Sequence, residues 1–220
     1  YNSEFENAAI MVADSQGEFV STSFFRGDPS GIRELQSWDY PNSLGVLYAT
    51  ITDFLGFRPN SDEWKVMALG AYASKKDFGG SLSKISELAS YHKGSGLELN
   101  LSFFSGFLNG QPRLFTEKLE QLLGKARMPN EELDEQHFAI AAAVQSFCEA
   151  ITFKMLTDLY DKIQETKLCV SGGFFMNSLM NGKLVENTPF EEIYIGHCPD
   201  DSGNAIGAAL FYAHDKLNIV

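Results

Sequence analysis

At 220 residues, with 44 % apolar and 13 % aromatic side chains that include 18 Phe, the chain has material for one large core or two small ones, which excludes disorder. Its 17 Lys and Arg against 29 Asp and Glu give a net charge of −12, which excludes broad affinity for nucleic acid or anionic membrane. No stretch reaches the ~20 uninterrupted apolar residues of a membrane span, and the start YNSEFENAAI has no signal-peptide pattern and no initiator Met, so it reads as a piece of something longer.

Three cysteines, Cys148, Cys169 and Cys198, form no CxxC pair. Two of them sit in apolar runs as small core residues, and the odd number suits a reducing, cytoplasmic compartment.

Residues 8–28, AAIMVADSQGEFVSTSFFRGD, predict a hairpin: an apolar strand ending at Ala13, the turn DSQG, then the alternating run EFVSTSFF. Residues 43–57 predict a helix with Ser43 at its N-cap and Gly56 at its end. The run KVMALGAYASKKDFGG loses periodicity, and Gly79-Gly80 reads as a break. Residues of about 81–130 are polar and mixed, with short apolar clusters such as LNLSFFSGFL and a helix over TEKLEQLLGKA; they read as an insertion carrying short elements.

The strongest helix is 134–163. Val144, Cys148, Ile151, Met155, Leu159 and Ile163 recur at three- and four-residue steps as one stripe. A strand at 167–170, the pair Gly172-Gly173, a short helix, the strand EEIYIG and the helix NAIGAALFYAHDKL follow. A hairpin followed by alternating helix and strand predicts an α/β domain with a mixed sheet. Its ligand site belongs at the C-terminal ends of the strands, where the loops DSQGE, SGG and PDDSGN compete for it.

Each loop has two readings. Gly172-Gly173 is either a tight strand-to-helix turn or a bare backbone that a ligand approaches. Asp14 is a common turn starter or a carboxylate for a metal. Asp201 or Ser202 is a helix N-cap, yet two adjacent acids exceed what one cap needs.

The segments WDYPNSLGVLYATITDFLGFRPNSDEWKVMALGAYA, LCVSGGFFMNSLMNGKL, DDSGNAIGAAL and AAIMVADSQGEF together resemble the O-carbamoyltransferases of the nodulation-protein and antibiotic-tailoring family. The matches are colinear from Ala8 to about Ala213, with the middle insertion poorly covered. The resemblance implies one ribonuclease-H-like (actin/sugar-kinase-like) lobe, a mixed sheet flanked by helices with a helical insertion. It implies that residues 1–220 are the second such lobe, with the first lobe and an adenylate-forming module elsewhere in the protein.

It also implies a chemistry. Carbamoyl phosphate and ATP yield carbamoyl adenylate, and the carbamoyl group passes to a hydroxyl of a small-molecule acceptor with help from Fe²⁺ or a similar divalent metal. Asp14 and Asp201 match the family's metal-binding aspartates. Gly172, Gly173 and Asn177 match its adenosine-side loop, Gly203 its last-loop glycine, and Lys65 and Glu63 a polar pair facing the acyl adenylate. The resemblance places the family's two histidines before Tyr1, and none of His92, His137, His197 or His214 occupies a matching place; Ser15 stands where the family prefers glycine. The rival readings are an actin-like ATPase or kinase using the same loops, and a non-catalytic nucleotide-binding or scaffold domain.

Overall fold

The computed structural model describes residues 2–106 and 111–217, without the side chains of Lys75, Lys76 and Asp215. In chain order the elements are β1 (Ala8–Ala13), β2 (Val20–Asp28), β3 (Gly31–Asp39), α1 (Leu44–Phe54), α2 (Glu63–Leu69), α3 (Lys75–Ile85), β4 (Ala89–His92) and β5 (Gly96–Leu99). They continue with α4 (Glu117–Leu123), α5 (Glu135–Ile163), β6 (Lys167–Ser171), α6 (Ser178–Asn181), α7 (Leu184–Asn187), β7 (Glu192–Ile195) and α8 (Asn204–Leu217). They form two compact units: residues 1–40 with 153–220, and residues 41–152.

The first unit is built on a five-stranded sheet in the order β3-β2-β1-β6-β7. β1 pairs antiparallel with β2, and β2 with β3; β1 pairs parallel with β6, and β6 with β7. This is the expected α/β fold with a mixed sheet. β1 is central, so Ala8, Ala9, Met11 and Ala13 are all buried. Parallel strands buried on both faces read as apolar runs without alternation, as β1 does.

β3 escaped the sequence reading. It is an edge strand whose first residues are largely exposed, so GIRELQSWD carries polar side chains where a buried strand would show alternation. Only Trp38 is buried, and it meets Phe24 of β2 edge-on at 4.8 Å between ring centroids. The turn into it is closed by Asp28, whose carboxylate accepts from Ser30 N at 2.8 Å.

The second unit is helical, with a two-stranded β4-β5 sheet. Ser43 caps α1 as expected, its hydroxyl accepting from Val46 N at 3.2 Å, and Gly56 leaves the helix at φ +72°. The expected break at Gly79-Gly80 is corrected: α3 runs through both glycines, and a Cβ at either would meet nothing within 4 Å. The helix ends on a side chain that anchors it, Ile85, fully buried together with Leu88, so packing overrides the poor propensity of glycine. The cluster LNLSFFSGFL yields the end of β5 and a 3-10 turn at Leu101–Phe103; its last two residues lie outside those described. α4 forms where TEKLEQLLGKA predicts it.

α5 runs through both units. Val144, Cys148, Ile151, Met155 and Leu159 of its stripe are buried, and Ile163 is half-buried at the end. The helix is long and apolar enough to cross a membrane, but 72 % of its apolar window is buried within the protein, as befits a core helix.

Candidate functional site

Because β1, β6 and β7 are mutually parallel, the loops after them leave the same edge of the sheet. The three segments singled out from sequence therefore meet. Asp14 follows β1 directly. Its backbone N–H donates to Ser21 O across the hairpin at 2.9 Å, and its carboxylate accepts from Ser15 N at 2.7 Å. The β7 loop is tied to the β6 loop through one carbonyl: Pro199 O accepts from Gly172 N at 2.6 Å and from Ser171 Oγ at 3.1 Å.

The two glycines have different reasons to be there. Gly172 sits at φ +98°, ψ 151°, a conformation that an L side chain rarely adopts. A Cβ on it would fall 2.0 Å from Ala13 O and 2.5 Å from Ala13 C, inside the backbone of β1. Gly173 starts the 3-10 turn Gly173–Met176, and a Cβ on it would lie 3.0 Å from Asp14 Oδ1. Gly172 thus keeps two strands in close register, while Gly173 leaves room for a carboxylate. Asn177 ends the turn and caps α6, its Oδ1 accepting from Met180 N at 3.0 Å, and Asn181 Nδ2 donates to Phe175 O at 2.7 Å. The buried Oδ1 of Asn181 has no hydrogen-bond partner.

In the third loop the acid that caps is Asp200. Its carboxylate accepts from Ser202 N at 3.3 Å and from the Ser202 hydroxyl, and its carbonyl accepts from Gly203 N at 2.9 Å. Asp201 next to it is exposed and takes no part in that cap. The two adjacent acids are thereby divided between a structural role and an open one. Gly203 is fixed by its own loop, since a Cβ there would fall 2.2 Å from Cys198 O. His197 and Cys198 are exposed on the same loop. Among the described residues no three His, Cys, Asp or Glu side chains gather as a metal site.

Lys65 and Glu63 belong to the other unit and are engaged locally. Lys65 Nζ pairs with Asp62 Oδ1 at 3.0 Å and lies 5.5 Å from the Trp64 ring centroid. Glu63 Oε1 accepts from Asn60 N at 2.6 Å. Sequence reasoning passed over a buried polar chain nearby in the same unit: Tyr48 Oη donates to Gln145 Oε1 at 2.9 Å, and Gln145 Nε2 donates to Glu149 Oε1 at 2.8 Å. Burial, with lesser contributions from Cys148, Glu63 and Glu149, pushes the Tyr48 hydroxyl far above its ordinary pKa. A signal was present in Gln145 and Glu149, polar residues one turn apart inside the apolar face of a core helix.

That unit also has a shallow cleft of about 440 Å³, walled by Asp53, Phe57, Arg58, Arg113 and Arg127. Its arginines already have structural work. Arg127 donates to the carbonyls of Leu55, Pro129 and Glu131, and Arg113 pairs with Glu120 at 3.7 Å.

Burial pushes the thiols of the buried Cys148 and the half-buried Cys169 up, away from the thiolate form that a nucleophile needs.

Known proteins are similar to this sequence over nearly its whole length. The family model for the carbamoyltransferase N-terminus matches residues 1–210. An uncharacterized protein of Synechocystis is 31 % identical over 219 residues, which cover 99 % of this chain and 35 % of that protein. The nodulation protein NolO of Bradyrhizobium diazoefficiens is 28 % identical over 216 residues, covering 97 % of this chain and 36 % of its own length. The nodulation protein NolNO of Sinorhizobium fredii is 26 % identical over 216 residues, covering 97 % and 29 %. The chain spans about a third of the length of these curated relatives. With colinear similarity over nearly every residue, this chain belongs to the carbamoyltransferase family, in its N-terminal domain.

Proposed function

We propose that this chain is one ribonuclease-H-like (actin-like) lobe of an O-carbamoyltransferase, which moves a carbamoyl group from carbamoyl adenylate to a hydroxyl of a small-molecule acceptor. The observation that carries the reading is the single sheet edge where Asp14 lies against Gly173 and the β7 loop is bonded to Gly172. The strand order supports the lobe assignment: three antiparallel strands, then two parallel ones reached through a long helix. Family membership supports carbamoyl transfer as the reaction class.

Transfer needs the acyl carbonyl polarised, the adenylate leaving group held and the acceptor proton taken up. The residues of this chain serve the second need through the backbone of the Gly172–Asn177 turn, with Gly203 shaping the facing loop. Asp14 and Asp201 bring carboxylate oxygens, which suit hard divalent cations. They do not by themselves fit an iron centre, which favours nitrogen ligands as well, so no step is drawn through iron. In the proposal such a metal takes further ligands from outside the described residues. The reducing, cytoplasmic setting drawn from three unpaired cysteines is part of the same reading.

The test uses the full gene product with ¹⁴C-carbamoyl phosphate, ATP and a panel of hydroxylated acceptors. Label moving to an acceptor only when ATP is present supports the reading. ATP hydrolysis or phosphate transfer without carbamoyl phosphate would replace it with an actin-like ATPase or kinase, and failure to bind any nucleotide would leave a scaffold domain. Asp14→Asn and Asp201→Asn should each lower transfer at least tenfold while the far-UV circular dichroism is kept.

A further inference from the structure

α8 is out of place as a surface helix. Residues 205–213, AIGAALFYA, contain no charge and no polar group except the Tyr212 hydroxyl. A surface helix shows an apolar stripe and a polar face, and one that is apolar all round belongs inside a protein. Yet Ala205, Ile206, Gly207, Ala208, Ala209, Phe211 and Tyr212 are all exposed, and only Leu210 and Ala213 are half-buried. Ile206 is 53 % exposed, Phe211 49 %, Tyr212 58 % and Leu217 51 %. Four large side chains half open to water, with the small ones between them, amount to roughly 400 Å² of apolar surface, within the range of about 300–600 Å² of the largest patch on an ordinary monomer, which often marks an interaction site.

We infer that α8 is a docking helix, covered on more than one side by another part of the same polypeptide. Two observations select that occupant. First, 97–99 % of this chain aligns with relatives in which it makes up only about a third of the length, so in those proteins a helix at this position is accompanied by twice as much further chain. Secondly, the apolar surface is not a stripe. A two-fold contact with a second copy covers one side of a helix and leaves the other wet, whereas a domain folding around the helix covers several. Gly207, Ala208 and Ala209 lie within the run, and small residues let another backbone approach closely.

The location gives the contact a consequence. α8 begins directly after the 3-10 turn Asp201–Gly203, in the loop bonded to Gly172. Whatever grips α8 also fixes that loop, so the docked segment borders the candidate site. The docking of α8 holds whatever reaction the site performs.

The experiment places the photocrosslinker p-benzoylphenylalanine at Tyr212, and separately at Ile206, in the full gene product. After irradiation the products are sized and mapped by mass spectrometry. The expected result is an intrachain cross-link from each position to peptides outside residues 1–220. Cross-links joining two copies would overturn the inference in favour of a homodimer. Hydroxyl-radical footprinting of the unsubstituted protein guards against disturbed folding. Phe211 and Tyr212 should oxidise at least tenfold more slowly than in a free peptide of residues 204–217, and oxidation at the free-peptide rate would equally overturn it.

Discussion

Gly172→Ala is the most severe small substitution available at the site. The added carbon must first adopt φ +98°, ψ 151°, which costs an L residue about 1–3 kcal/mol. It must also occupy a position 2.0 Å from Ala13 O, 2.5 Å from Ala13 C and 2.8 Å from Ala13 N. Those atoms belong to the central strand and cannot rotate aside as a side-chain end does, so overpacking adds about 1–3 kcal/mol. The expected loss is ~2–6 kcal/mol, a large part of the roughly 5–15 kcal/mol that holds a typical domain together. Gly173→Ala is the internal control. Its Cβ would meet the tip of the Asp14 side chain at 3.0 Å, which can yield, so its stability loss should stay at or below ~1 kcal/mol. Urea unfolding of both variants, followed by circular dichroism at equal protein concentration, measures the difference. The reasoning fails if Gly172→Ala loses less than ~1 kcal/mol, or if Gly173→Ala proves the more damaging of the two. Under the proposed function, transfer should show the opposite emphasis for Gly173→Ala, with activity falling while stability holds, because the displaced group is the Asp14 carboxylate.

Three further outcomes follow from particular bonds. Asp200→Ala removes the acceptor that caps the turn at Ser202 and should cost ~0.5–2 kcal/mol in urea unfolding, whereas Asp201→Ala should stay within ~0.5 kcal/mol. Tyr48→Phe deletes the buried hydrogen bond to Gln145 and should cost ~1–2 kcal/mol, read as a fall in thermal midpoint of several degrees. Burial raises the Asp53 carboxyl above its ordinary value, against the lowering effects of the Leu114 N–H and Arg113. The folded state therefore holds that proton more tightly than the unfolded chain. The stabilising contribution is full below the unfolded value and is lost as pH rises through the folded one. Asp53→Asn should gain on wild type as pH rises from the unfolded aspartate value through the folded one and then keep a constant margin, and a difference that does not change with pH would contradict the burial argument.

What the sequence made legible was local or periodic. Ser43 announces α1 because a hydroxyl at an N-cap needs only the next turn to act, and the stripe from Val144 to Leu159 announces α5 because a buried helix face repeats. α3 and β3 were illegible for tertiary reasons. Ile85 and Leu88 hold a glycine-interrupted helix in place by burial, and β3 is an edge that shows solvent its polar residues. At the candidate site, the loops picked out by family motifs come together at one sheet edge, but the motifs did not divide the work within them. That Asp200 caps while Asp201 stays open depends on the path of a 3-10 turn. That Gly172 answers to Ala13 depends on pairing between residues more than 150 positions apart, which no local pattern encodes.

That pairing is what makes the candidate site. The chain leaves the sheet after β3, forms the whole unit 41–152, and returns through α5 to lay β6 parallel to β1, with Ala9 opposite Leu168 and Val12 opposite Ser171. In a parallel pair both C-terminal ends reach the same edge, so Asp14 and Gly173 meet only if the register is right to the residue. A slip of one position would turn every β6 side chain to the other face, burying Cys169 and Ser171 where Leu168 and Val170 now pack. It would also bring Ser171 or Gly173, in place of Gly172, against the Ala13 carbonyl. Ser171 has a side chain that the 2.0 Å approach forbids, and moving Gly173 there would pull its backbone away from the Asp14 carboxylate. Apolar patterning opposes a slip in either direction through core burial, and the approach to Ala13 independently excludes the slip that brings Ser171 there. The carboxylate of Asp14 is placed by the same residue that locks the sheet, so at this edge stability and site geometry cannot be altered separately through Gly172, but they can through Gly173.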